Sequence, residues 1–208
     1  MAPAGLFAED SPCLVQWQNV LLKPAFKREN YMKKMLLSLT LVCSAFLAVA
    51  RDSVGQTANL NAELLQDWTD QKAMMLKIAD AMPEEKFSYR STPAQRDYGQ
   101  QILHVAVANI MYLRFFGGTP PAPTINRTAT SKTEILKALA DSFDYGTTLI
   151  KEQTDQSMMQ TIQTNPYLGP SSKARVIYFL IGHTWDIYGQ MAVYLRLNGI
   201  TPPASQRP

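Results

Sequence analysis

The chain has 208 residues, 46% of them hydrophobic and 18% charged, with a formal net charge of +3. Beyond Ala50 the excess falls to a single positive charge (15 Lys and Arg against 14 Asp and Glu), and no basic run remains. That balance excludes a nucleic-acid binder built on a cationic face. Both cysteines, Cys13 and Cys43, lie before residue 51, which leaves the rest without a disulfide or a thiol nucleophile.

Met32-Lys33-Lys34 is a short basic stretch followed by an apolar run from Met35 to Ala50, and Ala48-Val49-Ala50 is an A-x-A cleavage pattern. Residues 32–50 therefore read as a secretory signal peptide, and the protein as periplasmic or secreted. An uncleaved membrane anchor is the alternative, although the run is short of the ~20 residues a spanning helix needs. Val42 before Cys43 argues against a lipoprotein. Residues 1–31 precede a signal with its own methionine and show no period; we read them as a non-structural extension from a misplaced start. Residues 57–205 form the folded domain, with no membrane association after cleavage.

Four helices are expected. The first covers about Leu60 to Met82, with Leu64, Trp68, Met75, Ile78 and Met82 at near-helical spacing and Pro83 as its stop. The second opens at Thr92-Pro93-Ala94-Gln95, a capping box with proline at the first position, and runs to Phe116 before Gly117-Gly118. Its half from Ile102 onward is apolar almost all round and should be deeply buried. Residues 119–130 are a Pro- and Thr-rich connection. The third helix opens with Ser131-Lys132-Thr133-Glu134, another capping box, and fades near Ile162. The fourth follows Pro170, capped by Ser171 or Ser172, and ends at Asn198-Gly199. No strand alternation persists. The fold class is all-α, a four-helix bundle. The connection between the second and third helices is long enough for a crossover.

Two histidines belong to this domain, His104 and His183, each among apolar residues of a helix. Either could be a core histidine satisfied by one hydrogen bond. Their place on the two most apolar helices makes them candidates for a shared metal site, which bundles build between facing helices. One turn after His183, where a second histidine would complete an i,i+4 pair, stands Ile187. Asp186, at i+3, is a weaker substitute ligand because i+3 and i+4 point about 100° apart. Gln190 is an internal hydrogen-bond partner; Trp185 and Tyr188 belong at the bundle rim or at the contact of a homodimer. Asn126-Arg127-Thr128 fits a glycosylation pattern by chance in a chain with a bacterial-type signal, and the pairs Met74-Met75 and Met158-Met159 fill core gaps.

Three stretches together resemble the DinB-like (YfiT-like) family of four-helix-bundle, metal-dependent hydrolases. They are Met82-Pro83-Glu84-Glu85-Lys86-Phe87 leading to Gln101-Ile102-Leu103-His104-Val105-Ala106, then Leu139-Ala140-Asp141-Ser142-Phe143-Asp144, and His183 through Tyr194-Leu195-Arg196-Leu197-Asn198-Gly199 to Pro202-Pro203-Ala204-Ser205. The resemblance covers about Leu60 to Ser205. It implies a divalent ion, often nickel or zinc, held by three histidines, one on the second helix and an His-x-x-x-His pair on the fourth. His104 matches the first and His183 the second; the third falls on Ile187, which cannot ligate. The family also implies thiol-dependent S-transferases as relatives, whose metal activates a thiol or water.

Three functions follow: a metal binder or metal-dependent hydrolase with an incomplete site; a non-catalytic exported bundle that binds a small apolar ligand or a protein partner; and a thiol-dependent S-transferase, which export disfavours. The substrate is not legible. Imidazole nitrogens about 3–4 Å apart would fit a shared ion; rings pointing apart would not.

Overall fold

The computed structural model describes residues 33–34, 59–118 and 120–206. The extension, and the signal peptide apart from Lys33 and Lys34, fall outside the described residues. Among the described residues no helix is long and apolar enough to cross a membrane.

The domain carries four long helices: α1 (Leu60–Asp80), α2 (Tyr98–Leu113), α3 (Lys132–Lys151) and α5 (Lys173–Leu197), with a single-turn α4 (Asp155–Met158) before the last. Two-residue strands β1 (Thr161–Ile162) and β2 (Ser171–Ser172) pair antiparallel ahead of α5. The expected bundle is present, with local differences at the caps. α2 starts at Tyr98 rather than near Thr92, because the reciprocal capping box is made by Asp97 and Gln100. Residues 92–95 form a turn instead (Gln95 N–H to Thr92 C=O, 3.1 Å), and Tyr98 and Gly99 donate back to the Tyr89 and Phe87 carbonyls. At α3, Ser131 caps the Glu134 amide, but the Glu134 carboxylate accepts from the Ser131 hydroxyl, so the box is not reciprocal. α3 ends at Lys151, well short of Ile162. α5 is capped by Ser172 and closes on Asn198 and Gly199, whose φ of 73° suits glycine.

Each helix has two principal neighbours: α1 and α2 both pack on α3 and α5, so α1 lies diagonal to α2 and α3 to α5. Each interface carries a side-chain hydrogen bond. The Trp68 indole donates to the Phe143 carbonyl (2.9 Å), Gln71 to the Ile181 carbonyl (2.8 Å), Asn109 to the Ser142 hydroxyl (3.2 Å) and Gln101 to Gln190 (2.8 Å). These contacts also set direction. Trp68 meets Phe143 while Asp80 meets Lys132, so α1 and α3 are antiparallel. Gly99 lies against Ile135, Asn109 against Ser142 and Leu113 against Gly146, so α2 and α3 run parallel. Gln101 faces Gln190 and Tyr112 faces Phe179, so α2 and α5 are antiparallel. The order is up, down, down, up.

A parallel α2–α3 pair requires its connection to return along the bundle, roughly 24 Å for the 16 residues of α2. Residues 120–131 do this: Thr124 and Ile125 share a cavity wall with Ile110 and Met111, and Arg127 shares one with Arg96 and Gln100. The crossover foreseen in the sequence is thus where the long connection stands. At the other end, the Asp155 carboxylate accepts from the Leu60 and Asn61 amides (3.2 and 2.8 Å), which ties the α3–α5 connection to the α1 N-terminus.

Trp68 lies flat against Gly146, and a Cβ there would collide with the indole and come 2.9 Å from Leu113. We predict that Gly146→Ala loses about 1–2 kcal/mol in urea denaturation despite its better helix propensity. Gly182, exposed in mid-α5, has open space where a Cβ would stand. Gly182→Ala should gain about 0.5–1 kcal/mol in the same assay.

Candidate metal centre

His104 and His183 face each other across the antiparallel α2–α5 interface. Their Nε2 atoms are 3.0 Å apart and their rings are steeply inclined, at 67° with centroids 4.9 Å apart. Both histidines of the domain are therefore brought together, at the spacing of two donors that share one ion at ~2.1 Å each. Without an ion, one Nε2 must carry a hydrogen and the other accept it. His183 Nδ1 is buried with no partner among the described residues, so no protein acceptor decides which His183 nitrogen is protonated.

Burial lowers the pKa of both rings, that of His104 to about 4 from 6.5. The Arg96 guanidinium pushes both the same way, and the Asp186 carboxylate pulls against it. Both rings are consequently neutral at pH 7, which leaves nitrogen lone pairs for a cation. The donor chemistry thus fits a divalent ion as far as two ligands go.

Ile187 sits one turn beyond His183, 2% exposed and part of the hydrophobic core. Where a third ligand would be placed there is hydrocarbon. Asp186 is exposed, and its carboxylate accepts from Gln190 Nε2 (3.1 Å), which leaves the other Gln190 amide atom to accept from Gln101. This chain of contacts fixes Gln190 as the internal partner expected of it. Among the described residues no set of three His, Cys, Asp or Glu side chains is close enough to hold an ion together. Trp185 is 46% exposed and packs edge-on against Tyr188 (centroids 5.5 Å) on the outside of the bundle.

Two cavities meet at the pair, and His104 lines both. One, of about 640 Å³, is walled by Tyr112, Tyr167, Tyr178, Phe179 and His183. The other, of about 300 Å³, is bordered by Arg96, Gln100 and Arg127. Phe179 is the hub of the first, 4.9 Å from Tyr112, 5.9 Å from Tyr167 and stacked at 6.4 Å on His183. Arg96 and Arg127 were not among the residues the sequence pointed to. Nothing local marks them: one precedes α2, and the other lies in the crossover, where it showed only as the middle of a glycosylation-like triplet.

The four long helices set two facing imidazoles between α2 and α5, the kind of interior position where helical bundles build their ligand and metal sites. The chain belongs to the DinB superfamily, whose sequence profile matches residues 67–191. Among curated proteins none matches it in sequence. Among solved structures it is similar to a DinB-like protein from Bacillus cereus (23% identity, 67% of this chain and 93% of that one, TM-score 0.54). It is also similar to the DinB-like YjoA of Bacillus subtilis (11% identity, 70% and 99%, TM-score 0.54). A third similar structure is YfiT of Bacillus subtilis (13% identity, 72% and 93%, TM-score 0.55), described as a probable metal-dependent hydrolase with an unusual four-helix-bundle topology. At these identities the likeness shows the fold alone.

A histidine whose folded pKa lies below its unfolded value binds fewer protons when folded. Its stability contribution is present above pH 6.5 and is lost as pH falls towards about 4. We predict that denaturant midpoints drop as pH is lowered through this window, and that His104→Asn makes the profile flatter.

Proposed function

We propose that this chain is an exported DinB-superfamily protein that holds a divalent ion, nickel or zinc, between His104 and His183, with Ile187 in the place of a third histidine. Its chemistry is of the metal-dependent hydrolase type. The observation that carries this reading is the 3.0 Å separation of the two Nε2 atoms. The description of YfiT as a probable metal-dependent hydrolase supports a metal in general.

When bound, such an ion supplies Lewis-acid activation of a water or a polarised carbonyl. The protein's own part is to present two neutral imidazoles, kept unprotonated by burial and by Arg96. Asp186 contributes negative charge nearby, and its Gln190 contact, continued to Gln101, joins α5 to α2 beside the pair. Ile187 seals the inner side with apolar volume. Two protein ligands bind more weakly than three, since each ligand contributes several kcal/mol of the roughly 10–16 seen for full structural sites.

The second reading, a non-catalytic exported bundle that takes a small apolar ligand, draws support from the aromatic cavity of about 640 Å³ beside His183. Export itself rests on the signal-like residues 32–50, and it counts against a thiol-dependent transferase.

Metal analysis of protein purified without chelator or affinity histidines separates these readings. Near-stoichiometric nickel or zinc is expected, lost in His104→Ala and His183→Ala. Ile187→His should tighten binding at least about a hundredfold, the effect of a few kcal/mol. Metal found only in Ile187→His would sink the metal reading for the natural chain and leave the ligand-binding one.

A further inference from the structure

The two cavities differ in chemistry although they share a wall. The larger one is aromatic, and its own cation is already engaged: Arg175 donates to the Leu168 carbonyl (3.1 Å) and the Ser171 hydroxyl (2.6 Å). The smaller one holds Arg96 and Arg127, one from the segment before α2 and one from the crossover. Among the described residues neither guanidinium has a carboxylate partner. Both arginines are exposed at the rim of this cavity, and an anion seated there can accept charge-assisted hydrogen bonds from either guanidinium.

Position along α2 supplies the length of the ligand. The cationic cavity touches Gln100, Leu103, His104 and Val107; the aromatic one touches His104, Ala108, Met111 and Tyr112. Their centres are therefore offset by one to two helical turns, roughly 6–10 Å at 1.5 Å per residue, with His104 between them. Gly182 lines the aromatic cavity, and open space stands where its side chain would be. A glycine in mid-helix is unfavourable and here keeps the wall beside His183 low.

We propose that the ligand of this site is a small amphipathic acid. Its anionic group lies between Arg96 and Arg127, its aromatic or aliphatic arm fills the cavity around Phe179, and the atoms joining the two pass over His104. That this molecule is a substrate rests on the metal-dependent reading above; that it binds does not. The shared requirement is one anionic group and one apolar arm, which carboxylates and phosphate monoesters both satisfy.

The test uses the full chain, stripped of metal by chelator, at low ionic strength. 6-Phenylhexanoate, whose five methylenes span about the required distance, is titrated calorimetrically beside 6-phenylhexanamide and hexanoate. The expected order is the aryl acid first, with the neutral amide about tenfold weaker, the effect of one charge-assisted contact, and hexanoate weaker by at least as much through loss of the buried ring. Arg96→Gln combined with Arg127→Gln should abolish the difference between acid and amide. Gly182→Leu should weaken both alike, without unfolding the helix. Equal binding of acid and amide, no binding of either, or a preference that survives the double arginine variant would overturn the proposal. Hexyl phosphate, run beside hexanoate, tells the two anion types apart; tighter binding of either fits the arginine pair, and equal failure of both with loss of the acid preference counts against it. Metal content is measured on the same preparations before stripping. Protein without nickel or zinc that keeps the arginine-dependent acid preference removes the metal reading alone, and metal-bearing protein without that preference removes the ligand class alone.

Discussion

The parallel pairing of α2 and α3 governs most of what is distinctive in this bundle. Two parallel neighbours cannot be joined by a tight turn, so the chain between them must travel back along the helices. Residues 120–131 make that return on the outer side of α2, where Ile125 and Ala129 pack against the core. Arg127 reaches the mouth of the histidine site by this route. A simple up-down bundle with the same helices would have put this segment at one end, far from His104.

The same arrangement places α1 and α2 on one diagonal and α3 and α5 on the other. Each interface then joins helices that are not successive long helices, or that are joined by the long return. Packing alone would leave such a bundle free to slide by a turn. Four polar contacts, those of Trp68 and Asn109 buried and those of Gln71 and Gln101 half-buried, penalise sliding because each donor would lose its partner. Trp68 against Gly146 adds a steric key: no other residue type leaves room for the indole at that height. The His104–His183 alignment is a product of this register, one turn along α2 and two along α5 from the Gln101–Gln190 pair.

At the site itself, burial performs two functions at once. It lowers the imidazole pKa values, which makes the pair a neutral donor set, and it leaves His183 Nδ1 without a partner among the described residues. Histidines that hold metals usually have that second nitrogen anchored by an acceptor. Its absence here and the hydrocarbon of Ile187 have the same consequence: a site less rigidly defined than a three-histidine cradle, with weaker hold on any cation and more apolar wall.

Much of this was legible in the sequence, because helix formation is local. Apolar spacing at Leu64, Trp68, Met75 and Ile78, the caps at Ser131 and Ser172, and the stop at Asn198-Gly199 follow from backbone geometry within a few residues. The inward positions of His104 and His183 are local in the same way, but their meeting is not: two core histidines remained an equal reading until the register of α2 against α5 set the rings face to face. The true start of α2 was not legible: Thr92-Pro93-Ala94-Gln95 and Asp97-Tyr98-Gly99-Gln100 are both good local signals, and Tyr89 and Phe87, whose carbonyls accept from Tyr98 and Gly99, decided between them. The sequence likewise allowed a crossover without saying which helices would be parallel. Arg96 and Arg127, thirty-one positions apart, became neighbours only when the return segment was laid along α2. Local preference fixes the helices and their inner faces; which faces meet, and what a loop brings to a site, depends on contacts between distant segments that no local pattern encodes.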